Sequence, residues 1–146
     1  LELPQPSPLP GQEDSTASDY WLIDWYQYDD NGQRNAVCTT YHNVTDGWYL
    51  IIPDSWKDSI TISRYDAISG QRAVIFYQES GDPSPFLVIY KFTSQTNRAN
   101  TSNRFILREE ENAVYAASFY NSSWDCGMDQ TELVSAFQLI QSGWSD

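Results

Sequence analysis

Apolar and polar side chains alternate along much of the chain from residue 20 onward, which is the period-two pattern of β-strands. In 59–65, for example, Ile60 and Ile62 share one face of the predicted strand. Asn31-Gly32 predicts a hairpin turn, because this dipeptide tolerates the positive φ that tight turns need. The pattern predicts about eight strands, at residues 21–28, 35–43, 47–52, 59–65, 72–78, 86–93, 104–108 and 113–120.

The pattern changes to a helical period near the C-terminus. Residues 129–141 begin with Asp129 and Glu132, which match a capping box, and Gly143 suits the position after a helix end. The apolar positions that would share one helical face are Leu133, Phe137, Ile140 and Trp144. The sequence therefore predicts an α+β fold, with one antiparallel β-sheet of about six to eight strands and a C-terminal amphipathic helix packed on it.

Residues 1–19 differ in composition from the rest of the chain. They contain four prolines and a polar run, which favours a flexible Pro/Ser-rich linker before a single α+β domain over 20–146. This start favours an extracytoplasmic protein, secreted or surface-tethered at the cell envelope, although an interdomain linker remains an alternative. No apolar run approaches the length of about 18 residues that a membrane span needs, so no transmembrane segment is expected.

The acidic composition limits the classes of partner. The net charge of −12 would repel phosphate backbones, so nucleic acid is not an expected partner. The two cysteines, Cys38 and Cys126, leave two alternatives open. They form a disulfide, as an exported protein would allow, or they remain separate buried thiols.

Catalytic patterns are weak in this sequence. His42 is the only histidine, and neither a Gly-x-Ser-x-Gly elbow nor a glycine-rich phosphate loop occurs. The acidic segments 29–32 and 109–111 are predicted turns, and Asp24 is expected to point outward from its strand. We therefore expect no enzyme activity, no cofactor and no metal site. A small hydrolase with an acid pair remains an alternative.

Aromatic side chains are the candidate binding residues. Exposed Trp and Tyr rings can stack on sugars or anchor a protein partner. The opposite interpretation is that these rings pack inside the fold. The candidates for an exposed aromatic surface are Trp21, Trp25, Tyr26, Tyr28, Trp48 and Trp56.

Residues 41–43 and 47–56 read YHN and GWYLIIPDSW. This segment resembles the Mog1/PsbP-like superfamily, whose members include bacterial surface lipoproteins, and the resemblance covers about 39–141. It implies an antiparallel sheet flanked by helices, an adaptor role and no catalytic residue. The chain departs from that pattern in 94–102, which lacks helical periodicity, and in the additional hairpin over 20–43.

The function predicted on these grounds is a non-catalytic extracytoplasmic binding or adaptor domain. Its expected ligand is an unidentified protein partner. The two alternatives are a carbohydrate-binding module that uses the exposed Trp and Tyr rings, and the acid-pair hydrolase.

Overall fold

The computed structural model describes residues 2–8, 21–65, 70–79, 84–93, 104–120 and 124–140, with the backbone alone at 2–8, 21, 34 and 36. In these ranges the chain forms one α-helix, a short 3-10 helix at Asp54–Trp56 and ten strands. The helix, α1, spans Gln130–Ala136. The strands are β1 (Glu2–Pro8), β2 (Trp21–Tyr28), β3 (Arg34–Asn43), β4 (Trp48–Ile52), β5 (Ile60–Tyr65), β6 (Gln71–Gln78), β7 (Ser84–Phe92), β8 (Phe105–Glu109), β9 (Val114–Phe119) and β10 (Phe137–Leu139).

The strands divide between two compact units. The first unit comprises Leu1–Ser59 and Ser135–Asp146, and the second comprises Ile60–Val134. Each unit contains one five-stranded antiparallel sheet, in the order β1-β2-β3-β4-β10 and β5-β6-β7-β9-β8. The prediction of a mostly antiparallel α+β fold is confirmed, whereas the single sheet is corrected to two. Two parts stay predictions: the packing of the helix on a sheet, and the single domain over 20–146.

One face of the first sheet is a closely packed apolar core. The register places Leu22 of β2 beside Tyr41 of β3, Tyr41 beside Leu50 of β4, and Leu50 beside Phe137 of β10. All four side chains are buried. Residues paired across neighbouring strands point to the same side of a sheet, so this row defines the buried face of the first unit.

The predicted hairpin between β2 and β3 is confirmed. Asp29 Oδ1 accepts hydrogen bonds from the amides of Asn31 and Gln33, each at 2.9 Å. Gly32 has a φ of 77°, which is why glycine suits this turn. The register shifts between Trp25 and Tyr26, so β3 contains a bulge opposite that point.

Part of the predicted linker is a strand. Glu2–Pro8 pair with β2 as the edge strand β1, in which Pro4 lies opposite Trp25 and Pro6 opposite Ile23. An edge strand needs amide donors only on alternate residues, and its prolines occupy every second position. The composition that suggested a flexible linker is therefore also compatible with an edge strand.

The C-terminal helix is shorter than predicted. Its capping box is confirmed, since the Glu132 amide donates to Asp129 Oδ1 at 2.8 Å and the Asp129 amide donates to Glu132 Oε1 at 3.2 Å. The helix ends at Ala136, and β10 follows directly and pairs with β4. The Ile140 amide donates to Gly47 O at 2.8 Å. Cross-strand packing of Phe137 against β4 replaces the last predicted helical turns, and residues 143 and 144 lie outside the described residues.

The second sheet also has one apolar face. Two rows of paired residues form it, and most of their members are buried. The buried members are Ile62, Phe76, Leu87, Val74, Ile89 and Ala117. Among the helices that the structure describes, none is long and apolar enough to cross a membrane.

Candidate functional site

Two of the predicted surface aromatics belong to the core. Trp48 and Trp56 are completely buried, which corrects their assignment to an exposed aromatic surface. The Trp48 ring packs against Tyr41 at 5.5 Å and against Phe137 at 5.4 Å between ring centroids. Trp56 is the last residue of the 3-10 helix that follows Pro53, and its side chain is buried.

The remaining predicted aromatics do not form one surface. Trp25 and Tyr26 are half-buried, whereas Tyr28 is 45% exposed. Successive side chains of a strand alternate, so Trp25 lies on the opposite face from Tyr26 and Tyr28. The side chain of Trp21 lies outside the described part of the structure. Of the six predicted candidates, Trp25 therefore belongs to a surface on the other face of the first sheet.

The second face of the first sheet carries a partly exposed apolar patch. Ile23 of β2, Thr40 of β3 and Ile51 of β4 share one row, and Trp25 lies in the next. Ile51 is 41% exposed, while Ile23 and Trp25 are half-buried. We call the four apolar residues of this face, Ile23, Trp25, Tyr49 and Ile51, the Trp25 patch.

Three side chains on the same face are linked by hydrogen bonds, and the two polar ones, Thr40 and His42, are buried. Trp25 Nε1 donates to Thr40 Oγ1 at 2.8 Å, and Thr40 Oγ1 lies 3.2 Å from His42 Nδ1. The Tyr49 ring stacks on His42 at 4.9 Å. Burial lowers the pKa of His42, so the imidazole is neutral at pH 7.

The buried His42 side chain predicts a specific pH dependence of the free energy of unfolding. The unfolded chain binds a proton at His42 near pH 6.5, whereas the folded chain binds it only at lower pH, because the pKa is lowered by burial. The free energy of unfolding is therefore expected to decrease as the pH is lowered from about 7.5 to about 5.5. His42→Gln removes the only histidine and should make this decrease smaller, as urea unfolding at each pH will show. Parallel pH profiles for the two proteins would contradict the assignment.

A small polar pocket lies beside the bulge in the first unit. It has a volume of about 90 Å³ and is lined by Asp24, Trp25, Tyr26, Val37, Cys38, Thr39, Asp54 and Lys57. Asp24 is buried, and its Oδ1 atom accepts hydrogen bonds from Thr39 Oγ1 at 2.6 Å and from Lys57 Nζ at 2.8 Å. The hydrogen bond with Asp24 raises the pKa of Lys57.

The buried position of Asp24 corrects the expectation that it points outward. Asp24 pairs with Thr39, which pairs with Ile52, so the carboxylate belongs to the buried face of the sheet. Lys57 follows the 3-10 helix and brings its amine to that carboxylate. A carboxylate held by a cation and a hydroxyl is typical of a structural ion pair. Asp54 lines the same pocket, so the arrangement brings two carboxylates to one small cleft.

The two cysteines belong to different units. Cys38 lies in the first unit and Cys126 in the second, and each is half-buried, so the pairing that the sequence left open stays a prediction. Cys126 Sγ donates to Met128 O at 3.6 Å. Cys38 and His42 share a face of β3, and His42 is buried in this central strand of the first sheet. Within the described ranges, no group of three or more metal-ligating side chains is placed to hold an ion.

The second sheet brings together four tyrosines that sequence reasoning missed. Tyr65, Tyr77 and Tyr90 lie on one face of β5, β6 and β7, and Tyr120 continues that face beyond the end of β9. Tyr65 is 49% exposed and Tyr120 is 44% exposed, while Tyr77 and Tyr90 are half-buried. We call these four residues the tyrosine face. The four tyrosines lie in four different predicted strands, and the register that aligns them is not visible in the sequence.

Close contacts define the geometry of the tyrosine face. The Arg104 guanidinium lies 4.2 Å from the centroid of the Tyr90 ring, which is a cation–π contact. Ser63 Oγ donates to the Tyr77 hydroxyl at 3.1 Å. Burial raises the pKa of Tyr120, and the nearby phenols of Tyr90 and Tyr77 raise it further. These interactions place three phenols close to one another.

No family model, curated protein or solved structure matches the chain. The candidate binding surfaces of the chain are the Trp25 patch in the first unit and the tyrosine face in the second. The resemblance to the Mog1/PsbP-like superfamily stays a prediction.

Proposed function

We propose that the chain is a non-catalytic binding or adaptor domain of a secreted or surface-tethered protein, and that it binds a protein partner through the Trp25 patch. The observation that carries this proposal is the exposure of Ile51 on the same sheet face as the half-buried Ile23, Trp25 and Tyr49. Exposed apolar groups clustered around an aromatic residue are typical of protein interaction sites.

The Trp25 ring suits an anchoring role because it is held in place before binding. Its indole donates to Thr40, whose hydroxyl in turn contacts His42. A side chain already fixed in one orientation loses little conformational entropy when a partner covers it. These hydrogen bonds thus favour a preformed contact surface over a mobile one.

The charge of the chain indicates the chemistry of the partner. With a net charge of −12, the protein would repel acidic surfaces and attract basic ones. We therefore propose a partner with an apolar centre and a basic rim. Complementary charge would increase the rate of association, and the apolar centre would supply most of the affinity.

The extracytoplasmic location is part of the proposal. It is supported by the proline-rich start of the chain and by the resemblance to a superfamily with surface lipoproteins. Acid-pair hydrolysis is the weaker candidate, because Asp24 already contacts both Lys57 and Thr39 through the same oxygen. A general acid or base needs a carboxyl group that can exchange a proton with substrate.

The proposal is tested with Ile51→Glu. This change introduces a charge into the Trp25 patch and is expected to reduce partner retention at least about tenfold. The whole chain is immobilised and exposed to a cell-envelope protein fraction, with and without protease treatment of the fraction. The bound partner, identified by mass spectrometry, should be lost after protease treatment and should have a basic surface.

Val44→Glu is the matched control. Val44 is an exposed valine in the turn after β3, outside the Trp25 patch, and its substitution should leave retention unchanged. Circular dichroism will show whether both variants keep the fold. Equal retention by the wild-type protein and Ile51→Glu, or equal loss in both variants, would refute the assignment of the patch.

A further inference from the structure

The tyrosine face is built from neighbouring rows of the second sheet. The register Tyr65–Ala73–Tyr90–Ala116 places two phenols on either side of an alanine, two strand spacings apart. Two spacings correspond to about 9.5 Å between the strands that carry them. Ala73 is small and buried, so it forms the floor between Tyr65 and Tyr90. Tyr65 is 49% exposed, so a flat ligand ring can stack on its phenol.

The next row of the sheet supplies hydroxyl groups. It contains Ser63, Ile75, Val88 and Ser118, and it lies between the rows of Tyr65 and Tyr77. The serines and tyrosines of these rows can both donate and accept hydrogen bonds. The rows that carry Tyr65, Tyr77 and Ser63 contain no carboxylate among their described residues.

Two residues on the side of the tyrosine face also line an open concavity. Arg104 and Ser118 border about 370 Å³, together with Gln130 and with Phe105 and Phe119, whose rings belong to the opposite side of the sheet. This volume lies in the range of about 300–1,000 Å³ that is typical of small-ligand sites. The concavity adds one cationic donor and one amide near the tyrosine face.

The combined chemistry selects one class of ligand. Tyrosine rings bind the C–H faces of a ligand, while phenol, serine and guanidinium groups bind its hydroxyls. An aliphatic ligand would displace water from these polar groups and offer them no hydrogen bond in return, which is costly. A polyanion would be repelled by the net charge of −12. A neutral carbohydrate satisfies both requirements.

We propose that the tyrosine face is a second binding site and that it binds a neutral polysaccharide. Tyr65 and Tyr120 are the exposed stacking rings, and Arg104 donates hydrogen bonds to the hydroxyl groups of the sugar. This site lies on residues other than the Trp25 patch and does not depend on the proposed protein partner. The chain would then hold a glycan and a protein on separate surfaces.

The test uses the whole chain and four neutral polysaccharides: cellulose, chitin, mannan and β-1,3-glucan. The wild-type protein is expected to be retained on at least one of them in sedimentation or affinity electrophoresis. Tyr65→Ala and Tyr120→Ala should each weaken that binding about tenfold or more, since each removes one stacking ring. Tyr65→Phe keeps the ring and should retain most of the affinity.

Tyr28→Ala is the matched control, because Tyr28 is similarly exposed but lies in the first unit. It should bind the polysaccharide as the wild-type protein does. The proposal is overturned if none of the four polysaccharides retains the wild-type protein, or if Tyr65→Ala and Tyr120→Ala bind unchanged. It is also overturned if the two variants lose a protease-sensitive protein ligand instead.

The two proposals can fail separately. Ile51→Glu should lose the protein partner and keep polysaccharide binding, whereas Tyr65→Ala should do the reverse. Loss of both ligands in Tyr65→Ala with an intact fold would contradict the existence of two separate sites.

Discussion

Replacing Trp48 with alanine is expected to lower the free energy of unfolding by about 3–5 kcal/mol. The Trp48 side chain is completely buried and its ring contacts Tyr41 and Phe137. Its removal leaves a cavity between β3, β4 and β10, and the rigid strands around it can close that space only in part. Equilibrium urea unfolding, followed by fluorescence and circular dichroism, measures the change.

The comparison with an exposed aromatic makes this experiment decisive. Tyr28→Ala removes a ring of similar chemistry that is 45% exposed, and it should change the stability by less than about 1 kcal/mol. A Trp48→Ala protein as stable as Tyr28→Ala would show that Trp48 is exposed in solution. It would then return to the candidate binding surface that the sequence suggested.

The strands could be predicted from the sequence because their signals are local. Alternation in 59–65 and the Asn31-Gly32 turn depend on neighbouring residues alone. The division into two sheets depends on pairings between distant segments, such as β7 with β9. No local pattern specifies such a pairing, so the sequence indicated strands without their order.

The orientation of β2 could not be predicted because both of its faces contain large apolar groups. Trp21, Ile23 and Trp25 suggest one buried face, and this choice leaves Asp24 pointing outward. The structure buries the opposite face, where Leu22 lies beside Tyr41. Asp24 becomes buried with Leu22, and the cost of its burial is offset by Lys57, which is 33 positions away in the sequence.

The end of the helix shows a similar limit. The spacing of Leu133, Phe137 and Ile140 fits a helix, and the capping residues Asp129 and Glu132 are where the sequence predicted them. Phe137 also fits a strand, because it can pack beside Leu50 on the buried face. Tertiary packing decides between two local structures that have similar intrinsic preferences.

The tyrosine face was missed for the same physical reason. Tyr65, Tyr77 and Tyr90 come from three strands, and each is an ordinary strand residue when taken alone. Only the register reveals that they share a face. Aromatic residues that are adjacent in sequence, such as Trp25 and Tyr26, form an obvious cluster in the sequence, although adjacent strand residues point to opposite faces.

Replacing Lys57 with methionine is expected to lower the free energy of unfolding by about 2 kcal/mol. The change keeps an apolar side chain of similar length but leaves the buried Asp24 carboxylate with Thr39 as its neutral partner. Lys57 is one-third exposed, so water compensates part of the loss and the cost stays below that of a fully buried pair.

The double variant Asp24→Asn with Lys57→Met separates the ion pair from general packing. It removes both charges and should recover at least half of the stability that Lys57→Met loses, because no charge remains buried without a counter-ion. The raised pKa of Lys57 adds a second readout. In the wild-type protein, the contribution of the pair is present below about pH 10.4 and is lost as the pH rises further, since the folded state holds the proton longer than the unfolded chain. Lys57→Met should lack this component. If the double variant is no more stable than Lys57→Met, the Asp24 charge is not buried, and the pocket beside the bulge is open to water.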